Sequence, residues 1–189
     1  MTGPRERMVA SAALLIRERG AHPTAIADVL AHSGAPRGSA YHYFPGGRTQ
    51  LLCEAIDYAS DQVAARIDRA DSTTALLDSM VAGFRKQLAA TDFRAGCPIV
   101  AVAVEAGDPA DTEPAPLDRA GAAFTRWTGQ IVHRLRSDGV AAERAEELAT
   151  LIMSAIEGAV VMARATRDVK PLEQIHRQLR ALLPEGTPS

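Results

Sequence analysis

The stretch Gly34-Ala35-Pro36-Arg37-Gly38-Ser39-Ala40-Tyr41-His42-Tyr43-Phe44-Pro45-Gly46-Gly47 decides the fold. Ser33 and Gly34 break a preceding amphipathic run. Pro36 suits the first turn of a new helix, where its missing N–H would have no partner, and the spacing predicts a short helix over 37–43. Phe44-Pro45-Gly46-Gly47 then reads as a turn. Upstream, residues 5–19 place Met8, Ala12, Leu15 and Ile16 on one helical face, and Gly20 ends that helix. Thr24 is the predicted N-cap of a helix whose Ile26, Val29 and Leu30 turn inward. Two short helices joined by a tight turn containing Gly, with a third helix packed across them, make a helix-turn-helix.

Working outward, no segment alternates with period two between hairpin turns, so the chain reads as all-α with about nine helices. A long helix is predicted over 48–69 with Leu52, Ile56, Val63 and Ile67 on its face. Another is capped by Ser72 or Thr73 and carries Leu76, Leu77, Met80, Val81, Phe84 and Leu88. A short apolar helix opens at Cys97-Pro98. Residues 107–116, rich in Pro and Asp, form a loop. Three helices follow, over 117–137, 141–167 and 171–183, and the tail from Pro184 frays. The expected organisation is an N-terminal three-helix unit, 1–48, followed by a larger helical unit, 49–189.

Bulk properties exclude several classes. At 189 residues with 47% apolar content, the chain can bury a core without disulfides or metals. Its two cysteines, Cys53 and Cys97, point to a reducing compartment. They are either inert packing residues or oxidant sensors. Five histidines show no metal spacing with cysteines or carboxylates, so no metal is expected. There is no paired-carboxylate pattern, no Gly-rich phosphate loop and no readable Ser-His-Asp set, so neither an enzyme nor a cofactor is expected. Met1 to Met8 is polar and unlike a signal peptide. The apolar run 148–163 is shorter than the ~20 residues of a bilayer span. The expectation is a cytoplasmic protein with no membrane partner. Net charge is -2, yet residues 1–48 carry +3 and the remainder -5. A basic head on an acidic body is the asymmetry expected when one end faces phosphate.

The chemistry of the 37–43 helix fits a DNA groove. Ala40 and Phe44 lie four apart and face inward. Arg37, Gly38, Ser39, Tyr41, His42 and Tyr43 are left outward. Arg reads guanine or holds phosphate, Ser and Tyr hydroxyls bond phosphate oxygens, and Gly lets the backbone approach closely. Tyr41 and Tyr43 have a second reading as core aromatics, which for Phe44 is the preferred one. Helix N-termini near Thr24 and Gly47 would add amides facing phosphate.

The run Gly38-Ser39-x-Tyr41-His42-Tyr43-Phe44-Pro45, with Gly20, Thr24, Ile26, Asp28, Val29, Gly34 and Arg37 before it, resembles the DNA-binding domain of the TetR family of bacterial transcriptional repressors. The resemblance implies DNA contacts, largely to phosphate, from Thr24, Arg37, Ser39, Tyr41, Tyr43 and Arg48. One departure stands out: the family usually has a bulky Leu at Ala40 and a small residue at Leu30. A volume exchange between the two positions would accommodate this. Gly96-Cys97-Pro98-Ile99, and Phe44-Pro45-Gly46-Gly47-Arg48-x-Gln50-Leu51, are similar to the LmrA/YxaF branch. That likeness implies a repressor released by a small aromatic or drug-like molecule.

The body would then hold the effector in an apolar cavity between helices. Candidate walls are Phe84, Leu88, Phe93, Cys97, Val100, Val104, Phe124, Trp127, Ile131, Met153, Ile156, Glu157 and Val160. Each also reads as ordinary core. Trp127 could stack on a planar ligand. Glu157 interrupts an apolar helix and needs a partner, whether a ligand or Arg126 or Arg164. The nearly all-apolar face around Leu148, Ile152, Ala159 and Ala163, and the stripe Leu172, Ile175, Leu179 and Leu182, are expected at a homodimer interface. A two-fold dimer would place its reading helices on a palindromic operator of double-stranded DNA. Two alternatives remain at this level. One is an activator or DNA binder without ligand; the other is a small-molecule binder that no longer recognises DNA.

Overall fold

The computed structural model describes residues 3–105 and 115–184. Among them there are nine α-helices and no strand: α1 Pro4–Arg19, α2 Ile26–Ser33, α3 Ser39–Tyr43, α4 Gly47–Asp68, α5 Thr73–Ala90, α6 Pro98–Val104, α7 Ala115–Ser137, α8 Ala142–Thr166 and α9 Lys170–Leu182. Most of the predicted 107–116 loop, and the tail beyond Pro184, lie outside the described residues. Ala115 and Pro116 already belong to the first turn of α7.

The chain packs as two units. The first takes Met1–Gln62 with Cys97–Ala123, and the second Val63–Gly96 with Phe124–Ser189. The divisions fall within α4 and α7, and the sequence boundary at 48/49 lies inside the first unit.

In the first unit, α1 packs on both α2 and α6. Met8, Ala12 and Ile16 of α1 bury the predicted face, although Leu15 is only half-buried. Val29, Ala40, Phe44, Leu52, Ile56, Ile99 and Val102 complete the core. The Arg5 guanidinium lies 5.4 Å from the centre of the Phe44 ring and pairs with Glu54 at 2.7 Å. Gly20 terminates α1 at φ 95° and ψ 169°, and its N–H returns to Ile16 O at 2.8 Å. That backbone region is essentially open to glycine alone.

The start of α2 departs from expectation. Its N-cap is Ala25, which has no side chain to offer; the Asp28 carboxylate instead accepts the Ala25 N–H at 3.3 Å. Thr24 is buried, and its hydroxyl donates to Gly20 O at 2.7 Å. It closes the 20–24 connection on itself and caps nothing. Gly34 ends α2 in the left-handed conformation that a Cβ would disfavour.

In the second unit, α8 packs on α9 and α5, and α5 on α9. Ser72 caps α5 as expected, accepting the Ala75 N–H at 3.1 Å. Asp138 accepts the Thr73 N–H at 2.6 Å, tying the ends of α5 and α7. Asp78 of α5 holds α9 through Arg180 at 2.9 Å and His176 at 2.7 Å. By length and composition α8 could cross a membrane, but half of its apolar window is buried within the protein. A buried core helix passes the same test.

Candidate nucleic-acid interface

The reading helix is shorter than its sequence suggests. Ser39 donates both its N–H, at 2.9 Å, and its hydroxyl, at 2.7 Å, to Pro36 O. Residues 36–38 are therefore a turn that leads into five helical residues. Ala40 and Phe44 are each 1% exposed and form the inward side. Arg37, Gly38 and His42 face solvent, and Tyr41 is 71% exposed. The core-aromatic alternative thus holds for Phe44 and fails for Tyr41. Tyr43 is half-buried, with the His42 ring edge-on at 5.1 Å. The outward side carries a guanidinium, an imidazole, a phenol and a bare backbone, a set able to bond phosphate oxygens and base edges.

Four residues assigned to DNA are engaged elsewhere, the first being Ser39, whose hydroxyl donates to Pro36 O. The Thr24 hydroxyl is spent on Gly20 O. The Gly47 N–H donates to Phe44 O at 2.9 Å. Arg48 directs Nε to Thr24 O and Nη2 to Ala21 O and His22 O, at 3.0, 2.6 and 2.8 Å. The Gly47 bond closes the turn expected at 44–47, whereas the partners of Arg48 lie 24–27 positions away, which the local sequence does not reveal. Sequence reasoning also passed over Glu105, whose Oε2 accepts the His22 N–H at 3.0 Å. A carboxylate ending an apolar helix was the one available signal.

The proposed effector walls fall into both units. On α6, Cys97 is buried, Val100 half-buried and Val104 74% exposed. Ile99 and Val102 turn inward, which leaves Val104 on the opposite side of α6. In the second unit Leu88, Trp127, Ile131, Met153, Ile156, Glu157 and Val160 are buried, and Phe84, Phe93 and Phe124 half-buried. Trp127 stands edge-to-face with Phe124 at 5.7 Å and 87°, so its ring already has an aromatic neighbour. A groove of about 400 Å³ beside them is lined by Phe124, Thr125, Thr128, Gly129, Val132, Glu146 and Thr150. Of these only Phe124 was anticipated.

The predicted dimer residues need correction. Leu148, Ile152, Ala159, Ala163, Leu172 and Leu179 are at most 3% exposed within a single chain. They hold α8 and α9 together in the second unit. The open apolar positions of α8 are instead Leu151, Val161 and Met162, with the small Ser154 and Gly158 between them. On α9, Leu182 is 45% exposed and Ile175 half-buried. Cys53 and Cys97 are not joined in a disulfide. Among the described residues no three His, Cys, Asp or Glu side chains gather as a metal site.

Comparison with known proteins gives this arrangement a context. The family described as "Bacterial regulatory proteins, tetR family" matches residues 9–55. "Transcriptional regulator LmrA/YxaF-like, C-terminal domain" matches residues 73–178. An uncharacterised HTH-type transcriptional regulator of Mycobacterium tuberculosis is 63% identical over 185 residues, covering 97% of this chain and 95% of that protein. The HTH-type transcriptional regulator LmrA of Bacillus subtilis is 29% identical over 186 residues, covering 95% and 96%. The crystal structure of a TetR transcriptional regulator from Legionella pneumophila shares the fold, with a TM-score of 0.82 at 20% identity over 97% of this chain and 99% of that one.

Proposed function

The chain belongs to the TetR family of helix-turn-helix transcriptional regulators, and on that premise we propose that it is a cytoplasmic, homodimeric repressor released from a palindromic operator by a small aromatic or drug-like molecule. The family is one of regulators rather than enzymes; its members bind DNA and typically dimerise.

The observation that carries the reading is the division of α3. Ala40 and Phe44 anchor it, while Arg37, Tyr41 and His42 remain exposed. Arg37 is the base-reading candidate, and Tyr41, His42 and Tyr43 position the helix on phosphates. Two copies would join through Leu151, Ser154, Gly158, Val161 and Met162 of α8 with Ile175 and Leu182 of α9. That pairing covers apolar surface otherwise left in water. The effector would occupy the second unit, where the half-buried Phe124 offers aromatic surface to the groove of about 400 Å³. It acts by population shift, binding best to a conformation whose two heads are wrongly spaced for the operator. By linkage, DNA and effector must weaken each other by the same factor.

Selection of bound duplexes from a random-sequence pool tests this. Enrichment of a palindrome with half-sites about one turn apart, ~34–36 Å or somewhat more, is the expected result. Enrichment of nothing, or of a single half-site, refutes the dimeric operator.

A further inference from the structure

The connection between α1 and α2, residues 20–24, is gripped from two sides by side chains distant in sequence. Arg48, in the first turn of α4, commits three of its five N–H donors to the carbonyls of Ala21, His22 and Thr24. Glu105, immediately after α6, accepts the His22 N–H. The other Glu105 oxygen occupies the space that a Cβ on Gly20 would need. Thr24 closes the same connection from within. A cation thus gathers its carbonyls while an anion holds its amide.

The grip adds to the packing of Val29, Ala40 and Phe44, because both helices of the reading pair are short. α2 begins at Ile26, directly beyond the connection, with no side-chain cap of its own N-cap residue. α3 has five residues, too few to be a stable helix alone. The direction in which both are presented therefore depends in part on how the chain leaves α1.

We propose that Arg48 and Glu105 are positioning residues for DNA binding: together they set the 20–24 connection from which α2 and α3 are presented, and neither touches DNA. This rests on the DNA-binding reading above. For Arg48 it replaces the phosphate contact that the family resemblance implies.

Salt dependence separates the two roles. A phosphate contact displaces counterions, so deleting it flattens the plot of log affinity against log salt by about 0.9 per contact. Loss of positioning lowers affinity and leaves the slope alone. The probe is the duplex selected by the wild-type protein, titrated at several salt concentrations. Arg48→Ala and Arg48→Lys should each bind about tenfold more weakly with slopes parallel to wild type, because a lysine lacks the planar fork that spans three carbonyls. Arg37→Ala serves as the comparison for a lost base contact, weakening binding and relaxing the sequence preference. Glu105→Ala should bind about threefold to tenfold more weakly and speed amide exchange at His22 in the free protein, whereas Glu105→Gln, which keeps an acceptor oxygen, should restore both.

An Arg48→Ala slope flatter by about one, or an Arg48→Lys protein that binds like wild type, overturns the assignment of Arg48. Glu105→Gln behaving as poorly as Glu105→Ala overturns that of Glu105. The Glu105 pair carries the test should Arg48→Ala not fold. Failure of the wild-type protein to select any duplex overturns the DNA-binding reading itself, and is seen before any variant is made.

Discussion

Replacing Gly20 by alanine should destabilise the protein by two separable amounts. At φ 95° and ψ 169° the backbone lies in a region that residues with a Cβ occupy only at a cost of about 1–3 kcal/mol. The new methyl would also meet the Glu105 carboxylate. That carboxylate ends a flexible side chain and can swing aside, so what is lost is its bond to the His22 N–H. A hydrogen bond to a charged acceptor contributes about 1.5–3 kcal/mol, which the partial exposure of Glu105 reduces to about 1. The sum is about 2–4 kcal/mol, equivalent to a fall in melting temperature of roughly 4–16 °C for a chain of this size. Urea unfolding followed by far-ultraviolet circular dichroism measures it. The decisive comparison is a double-mutant cycle. In a Glu105→Ala background the bond is already absent, so Gly20→Ala should cost about 1 kcal/mol less. Equal cost in both backgrounds would mean that the carboxylate does not lie over Gly20, and the account of the connection would fail.

Three further outcomes are expected. Trp127→Ala should lose about 3–5 kcal/mol of stability, because the ring is 1% exposed and leaves a large cavity; denaturation at unchanged midpoint would contradict its core role. Met162→Glu should shift sedimentation from dimer toward monomer with unchanged helicity, since the side chain is 58% exposed in the single chain; a variant that sediments as wild type would discard the proposed face of α8. Leu30→Ala should cost about 1–2 kcal/mol, below a fully buried Leu→Ala because Leu30 is half-buried; no change in stability would show that Leu30 does not compensate for Ala40.

Where a local rule governs, the chain was readable in advance. Gly34 after an apolar run marks the turn, and four-residue spacing puts Ala40 and Phe44 inward, because both follow from helix geometry within one segment. The same logic failed on α8. That helix is apolar around most of its circumference, so periodicity alone could not decide which side its own chain would cover, and the residues chosen for the dimer proved to be core. Thr24 is a good cap by type, but α2 has its N-cap one residue later, at Ala25, and the Thr24 hydroxyl donates to Gly20 O. Arg48 looked like a free cation because nothing in 45–51 shows that three carbonyls from 21–24 converge on it. Glu105 acts on a residue 83 positions away, beyond the range of any local pattern. Local conformation was legible; the pairing of distant polar groups was not.

The brevity of α3 has a consequence for how such a protein changes over time. Its conformation is imposed by two anchors, Ala40 and Phe44, and by the turn at Pro36. The exposed positions, Arg37, Tyr41 and His42, contribute little to that conformation. Substitutions there are nearly free of folding penalty. If these side chains meet DNA as proposed, the sequence preference of the head can drift while its architecture stays still, and one scaffold can serve new operators by changing a handful of side chains.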